Sequence, residues 1–244
     1  MGRLAAAAPL LVLAVTACAT GAPLGGHAGF RTGRHQPFAP AALPRPVPPA
    51  HEGAAVIARA PRGGRDLAVE LARRLVGQPN VELSGRRYPD DCTGLVRGVY
   101  EQLGLDLSSH ARPGDNGVTA IYRFAAARGR VYTGGRPVAG DLAFFRETYD
   151  VNRDGRTNDG LTHVGLVESV LEDGTVLVIH RVSRGVVRYR MNLTRKDVHT
   201  DPKNGRKLND YLRASGPGHA PVLTGQLFAA YATVLPDGPR HASR

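Results

Sequence analysis

Two patterns of apolar and polar positions divide this chain. From Arg65 onward, apolar side chains recur at helical spacing: Leu67, Leu71, Leu75 and Val76, joined by Ala68 and Ala72, with Gly77 and Pro79 ending the run. A loop rich in Gly, Arg, Pro and Asp then leads to Asp91. A second helix is predicted from Cys92 to about Leu103, with Leu95, Val96, Val99 and Leu103 on one face and Gly104 after it. A third helical stretch, Val118 to Arg128, precedes a Gly134-Gly135 turn. Beyond it the period shortens to that of strands. Asp141 to Phe145, His163 to Val170, Thr175 to Val182 and Val186 to Met191 read as strands, with turns at Asp173-Gly174 and Arg184-Gly185. After Leu193 the chain is basic and loop-rich, and Gly225 to Leu235 reads equally well as strand or helix. Helices first and a strand meander second predict an α+β domain, with helices packed on one side of an antiparallel sheet.

The N-terminal part has neither period. Arg3 and the apolar stretch Leu4 to Val15 precede Val15-Thr16-Ala17-Cys18, an export signal too short for a comfortable membrane span. Val-Thr-Ala-Cys resembles a bacterial lipobox, which would make Cys18 a lipid-bearing N-terminus; an ordinary signal cleaved near Ala17 or Ala19 is the alternative. Residues 18–62 read as a tether, with prolines at 23, 37, 40, 44, 46, 48, 49 and 61. At ~3.1 Å per residue such a tether would reach on the order of 100 Å. The expected organisation is a signal over 1–17, a lipid-anchored tether over 18–62, a hydrolase domain over 63–235 and a tail over 236–244. The expected protein is exported and membrane-anchored, facing the cell wall in the periplasm or at the cell surface.

Composition narrows the choice of partners. The net charge of +11 comes from arginines scattered along the chain. That pattern suits either a coding bias with a solvated surface or attraction to phospholipid, lipopolysaccharide or peptidoglycan carboxylates. No helix-turn-helix, zinc or RNA-binding signature is present, which argues against nucleic acid. The two cysteines are Cys18 and Cys92. If Cys18 carries lipid, Cys92 is a free thiol in an oxidising compartment, and that invites a chemical role.

The chemistry centres on Asp91-Cys92-Thr93-Gly94-Leu95-Val96. A cysteine opening a helix sits where unpaired N–H groups and the helix dipole favour the thiolate, and the same amides can hold an oxyanion. His163 starts a core strand in Thr162-His163-Val164-Gly165-Leu166-Val167 and could take the thiol proton. His180, in Val176-Leu177-Val178-Ile179-His180, could orient that base, or it could simply face solvent on an alternating strand. These segments, with Gly140-Asp141-Leu142-Ala143-Phe144-Phe145, resemble the ordered motifs of NlpC/P60 peptidases over roughly residues 65 to 192. The related CHAP amidases share the triad, but the residues around Cys92 and the Gly-Asp-Leu-Ala-Phe-Phe run fit NlpC/P60 better. The resemblance implies a papain-like fold, with Cys92 as nucleophile, His163 as general base and His180 as the orienting residue. It implies a substrate among peptidoglycan stem peptides, typically next to D-glutamate and a diamino acid. Thr93 stands where the family usually has serine, and Leu107 to Val138 departs from its usual pattern.

One insertion stands out between Phe145 and His163. Asp150, Asn152 and Asp154 at relative positions 1, 3 and 5, then Gly155 at 6, copy the first half of a calcium loop. Leu161 takes the place of the bidentate Glu at position 12, Asp159 could substitute at position 10, and Arg153 and Arg156 oppose a cation. A structural Ca2+ and an Asx-rich turn are both open. The chemistry itself calls for no cofactor. The expected protein is a monomeric lipoprotein that cleaves peptidoglycan peptides. The alternatives are an amidase or acyl transferase with the same triad, and a silent wall-binding lipoprotein.

Overall fold

The structure is a computed structural model that describes residues 63–216 and 220–236. The export signal, the tether with Cys18 and most of the tail lie outside the described residues. Three helices precede the main sheet: α1 (Gly64–Leu75), α2 (Cys92–Glu101) and α3 (Gly117–Arg128), with the short strands β1 (Glu82–Leu83) and β2 (Arg86–Arg87) between the first two. Then come β3 (Arg130–Tyr132), β4 (Leu142–Arg146), β5 (Leu161–Val170), β6 (Val176–Val182) and β7 (Gly185–Met191). A small appendage of β8 (Tyr211–Arg213), β9 (Val222–Leu223) and the single turn α4 (Thr224–Leu227) leads into β10 (Phe228–Thr233). Among the described residues no helix is long and apolar enough to cross a membrane.

The expected α+β architecture is present. Six strands form one antiparallel sheet in the order β3-β10-β4-β5-β6-β7. The predicted meander is its β4 to β7 part, four of the six strands. The ambiguous segment before Leu235 contains both structures: a helical turn at Thr224–Leu227, then β10 inserted between β3 and β4. Both neighbours of β10 are remote in sequence, so local pattern could not assign its place.

In α2 the apolar period works as expected: Leu95, Val96 and Val99 are fully buried. Helix α1 differs. Its buried face carries Arg65, Ala68, Val69, Ala72 and Leu75, while Leu67 is 39% exposed. The stripe expected through Leu67 is therefore rotated toward the alanines. Small side chains let this helix lie close against the molecule, and the rotation brings Arg65 inside.

Arg65 is buried to satisfy Asp141, which is fully buried at the start of β4. The Arg65 guanidinium donates to Asp141 Oδ1 at 2.8 Å and to the carbonyls of Ala139 at 3.1 Å and Leu235 at 2.8 Å. Asp141 also accepts from the Thr233 hydroxyl at 2.8 Å, the Tyr132 hydroxyl and the Val138 N–H at 2.9 Å. One carboxylate thereby ties together the first helix, the edge strand β3, the entry to β4 and the end of β10. A buried charge left without its partner is strongly destabilising, because nothing replaces its lost hydration. Replacing Asp141 with Asn, which keeps the shape and removes the charge, is expected to cost about 3–5 kcal/mol; urea denaturation of the two proteins measures it.

Candidate active site

Cys92 is the first residue of α2. Its predecessor Asp91 caps the helix in an extended conformation (φ −138°, ψ 179°) and accepts from the Gly94 N–H at 2.8 Å and the Thr93 hydroxyl at 2.7 Å. An acidic cap at a helix start satisfies otherwise unpaired amides. Asp91 thus has a positioning role beyond its membership of the Cys92 motif, and its signal in the sequence is an aspartate directly before a helix. Gly94 is required by close approach: a Cβ there would stand 1.9 Å from the Pro89 carbonyl oxygen. The turn before the helix can fold onto it only without a side chain.

Cys92 is a free thiol, 8% exposed, and belongs to the main apolar cluster. Three backbone N–H groups act on its sulfur in favour of the thiolate: its own, that of Thr93 and that of Val164 on β5. The Val164 amide directly follows His163 in the chain, so the sulfur lies against β5 beside that residue. The amides of Cys92 and Thr93 are the donors expected of an oxyanion site.

His163 and His180 come together on adjacent strands. His163 Nε2 lies 2.8 Å from His180 Nδ1, and the rings meet edge to face with centroids 4.9 Å apart. Both are buried, His180 completely, so the solvent-facing alternative for His180 is excluded. The His180 ring also meets Tyr189 edge to face at 4.6 Å. Because His163 engages His180 through Nε2, its Nδ1 is the nitrogen left to act elsewhere. When Nε2 carries the proton, Nδ1 holds a lone pair and can serve as a base.

The electrostatics depart from the sequence expectation in one respect. Burial pushes the Cys92 thiol up to about 11, aided by the negative charge of Asp91 and opposed by the three amides. Desolvation of the charged sulfur thus outweighs the helix-terminus effect, which alone would lower it. Burial also pushes His163 down to about 4, with Asp91 pulling the other way, and holds His180 well below the usual imidazole range. The resting site is therefore neutral: a thiol and two uncharged imidazoles.

The insertion before β5 forms a compact loop beside this site. The carboxylates of Asp150 and Asp154 turn onto the loop's own amides, while Asp159 Oδ2 is buried without a partner. Asp150 accepts from the Asp154 and Gly155 N–H groups at 3.2 and 2.8 Å, and Asp154 accepts from the Arg156 N–H at 2.8 Å. Asn152 Oδ1 accepts from the Asp154 N–H at 2.9 Å. These are Asx-turn bonds. The structure does not gather Asp150, Asp154 and Asp159 into an ion-holding group: among the described residues no cluster of three or more His, Cys, Asp or Glu side chains is placed to hold a metal. Glu147, which no motif singles out, closes the loop by accepting from the Asp159 and Gly160 amides at 3.0 and 2.8 Å. Tyr149, equally unmarked in the sequence, is 57% exposed. Its phenol is pushed up by partial burial and then by the charges of nearby Cys92, Asp91 and Asp159. It thus stands within electrostatic reach of the thiol.

Helices followed by an antiparallel sheet, with a cysteine opening a helix and a histidine pair on the strands it packs against, make a papain-like α+β domain. Residues 83–181 match the family model described as the CHAP domain, and that stretch contains Cys92, His163 and His180. That stretch is thus similar to CHAP domains, which are found in NlpC/P60-like peptidoglycan hydrolases. The match points to a hydrolase or amidase acting on peptidoglycan. No curated protein and no solved structure matches the chain.

The neutral resting site has two measurable consequences. Alkylation of Cys92 by iodoacetamide is expected to run about a hundredfold or more slower at pH 7 than that of a free thiol, and to rise toward pH 11. A rate profile with its midpoint below ~8.5 would instead reveal a thiolate–imidazolium pair in the resting protein. The second concerns stability. Folding holds His163 neutral, so its contribution is complete above the ordinary imidazole value of 6.5 and is lost as the pH falls toward about 4. Denaturant titrations at pH 7 and pH 4 are expected to differ by on the order of 3 kcal/mol from His163 alone, with the lower pH weaker.

Proposed function

We propose that this protein is a cysteine peptidoglycan endopeptidase that cleaves a peptide bond in the stem peptide. Cys92 Sγ attacks the scissile carbonyl while His163 Nδ1 takes the thiol proton. The developing oxyanion is held at the Cys92 and Thr93 amides, and His163 returns the proton to the departing amine. Water, deprotonated by His163, then clears the thioester. His180 keeps His163 in the tautomer that leaves Nδ1 free, the task of the third member in any such triad. Because the resting pair is uncharged, proton transfer accompanies attack, and charge appears only where amides are ready to receive it.

The observation that carries this reading is the buried 2.8 Å bond from His163 Nε2 to His180 Nδ1, on the strand whose next amide reaches toward the Cys92 sulfur. An orienting partner for a histidine is hard to explain in a silent wall-binding module. The chemistry uses no cofactor, and calcium would act only on the shape of the 150–160 loop. In the same proposal Cys18 carries the lipid, the Pro-rich segment spans the distance to the wall, and the exported protein works facing the cell wall as a monomer. Amide cleavage at another position of peptidoglycan is the competing outcome, because the same three side chains serve it.

Digestion of purified sacculi, with products identified by mass, tests the proposal. Cys92→Ala and His163→Ala are expected to abolish fragment release while the circular dichroism spectrum is unchanged. His180→Leu is expected to lower kcat by about 10² or more with little change in KM, and His180→Asn to recover part of the loss, since an amide oxygen can also accept from His163. Undiminished digestion by a pure Cys92→Ala sample would sink the assigned nucleophile; fragments cut only between sugar and peptide would make the enzyme an amidase.

A further inference from the structure

One nitrogen of the histidine pair takes no part in the proposed chemistry. His180 Nδ1 is bonded to His163 on β5, whereas His180 Nε2 is buried and has no hydrogen-bonding partner. The two nitrogens of an imidazole point in divergent directions, so Nε2 is aimed away from β5, toward β7. Strands β6 and β7 pair with His180 opposite Val187 and Val178 opposite Tyr189, which puts Tyr189 on the same face of the sheet as His180. There the two rings stand nearly perpendicular, at 82°, with centroids 4.6 Å apart. Tyr189 is itself buried, and the Arg184 guanidinium donates to its hydroxyl at 2.7 Å. Phe145 on β4 flanks both imidazoles, with ring centroids 6.0 and 6.3 Å away, and offers neither proton nor charge.

The proton polarity of the pair depends on what His180 Nε2 meets. If the His163 Nε2–H donates to His180, neutrality of both rings places the second proton on His180 Nε2. If His180 donates instead, its Nε2 carries a lone pair and His163 keeps its own proton on Nδ1, where it cannot accept from the thiol. An aromatic face is electron-rich: it attracts an N–H and repels a lone pair. We infer that Tyr189 is a positioning residue, whose ring face receives the His180 Nε2–H and so sets the pair in the polarity that leaves His163 Nδ1 bare. This role rests on the reading of Cys92 and His163 only for its effect on rate; where the protons sit is independent of it. Arg184 supports the same arrangement. It holds the Tyr189 ring by the hydroxyl, and its charge, with that of His163 once protonated, opposes a proton moving on to His180. The proton taken from Cys92 therefore stays on His163 for the leaving amine.

15N NMR spectra of the resting protein, labelled at histidine and recorded at pH 7, read the polarity directly, because a protonated ring nitrogen and a bare one resonate far apart. The wild-type protein is expected to show both His163 and His180 protonated at Nε2 and bare at Nδ1. Tyr189→Leu, which has no aromatic face, is expected to show a second form of His163 protonated at Nδ1. Its kcat on sacculi is expected to fall about tenfold with KM unchanged, as loss of a buried donor's only acceptor warrants. Tyr189→Phe keeps the face and loses the bond to Arg184; it is expected to retain the wild-type spectrum and most of kcat. His163 protonated at Nδ1 in the wild-type protein, a wild-type spectrum from Tyr189→Leu, a changed spectrum with full kcat, or equal losses from the two substitutions would each overturn the assignment. Should Tyr189→Leu fail to fold, Tyr189→Met, which also lacks a ring, takes its place, and the wild-type spectrum still decides the polarity. A protein that shows the expected spectra in all variants yet releases no fragments from sacculi would refute the endopeptidase and leave the placement of the protons by Tyr189 standing.

Discussion

Two imidazoles bonded to each other in a dry interior must agree on a single polarity: one nitrogen gives the proton and the other receives it. That constraint, imposed by the 2.8 Å contact of His163 and His180, governs the rest of the site. The contact fixes which nitrogen of His163 is free, while burial holds both rings uncharged and keeps the proton on the neighbouring thiol. Gly165 makes room for the contact. A Cβ at that position would stand 3.0 Å from His180 Cβ and 2.6 Å from Val178 Cγ1, so a side chain there would push the two strands or the second ring aside. The His-Val-Gly sequence on β5 is therefore a packing requirement as much as a chemical one.

Much of this was legible in the residues. The three helices, the four strands from β4 to β7 and the turns between them follow from period and punctuation, because each is formed by neighbours in sequence. Cys92, His163 and His180 were legible as a group because a thiol at a helix start, followed by imidazoles on two successive strands, is the order that a thiol–imidazole site requires. What stayed hidden depends on distant partners. The inward turn of Arg65 makes sense only once Asp141 is known to be buried beside it. The exposure of Leu67 follows from the same rotation. The thiol's raised affinity for its proton could not be read either, since helix position argues one way and the depth of packing around Cys92 argues the other.

The loop before β5 illustrates the difference between a pattern and a site. Its alternating oxygens suit a cation, and the same alternation also suits a chain folding back to bond its own amides. In this structure Asp150, Asn152 and Asp154 bond the loop's own amides, with Glu147 closing the loop from outside the motif.

The place of β10 has a consequence in time. Although it follows every other strand in the chain, it lies inside the sheet, flanked by β3 and β4, and residues at its end complete the shell around Arg65 and Asp141. Until Phe228–Thr233 has been delivered, β3 has no neighbour and the Arg65–Asp141 pair is incomplete. Long-range closure of this kind is slow compared with helix and hairpin formation. A hydrolase built this way stays unassembled through most of its own synthesis, and its competence to cut arrives only with that late strand.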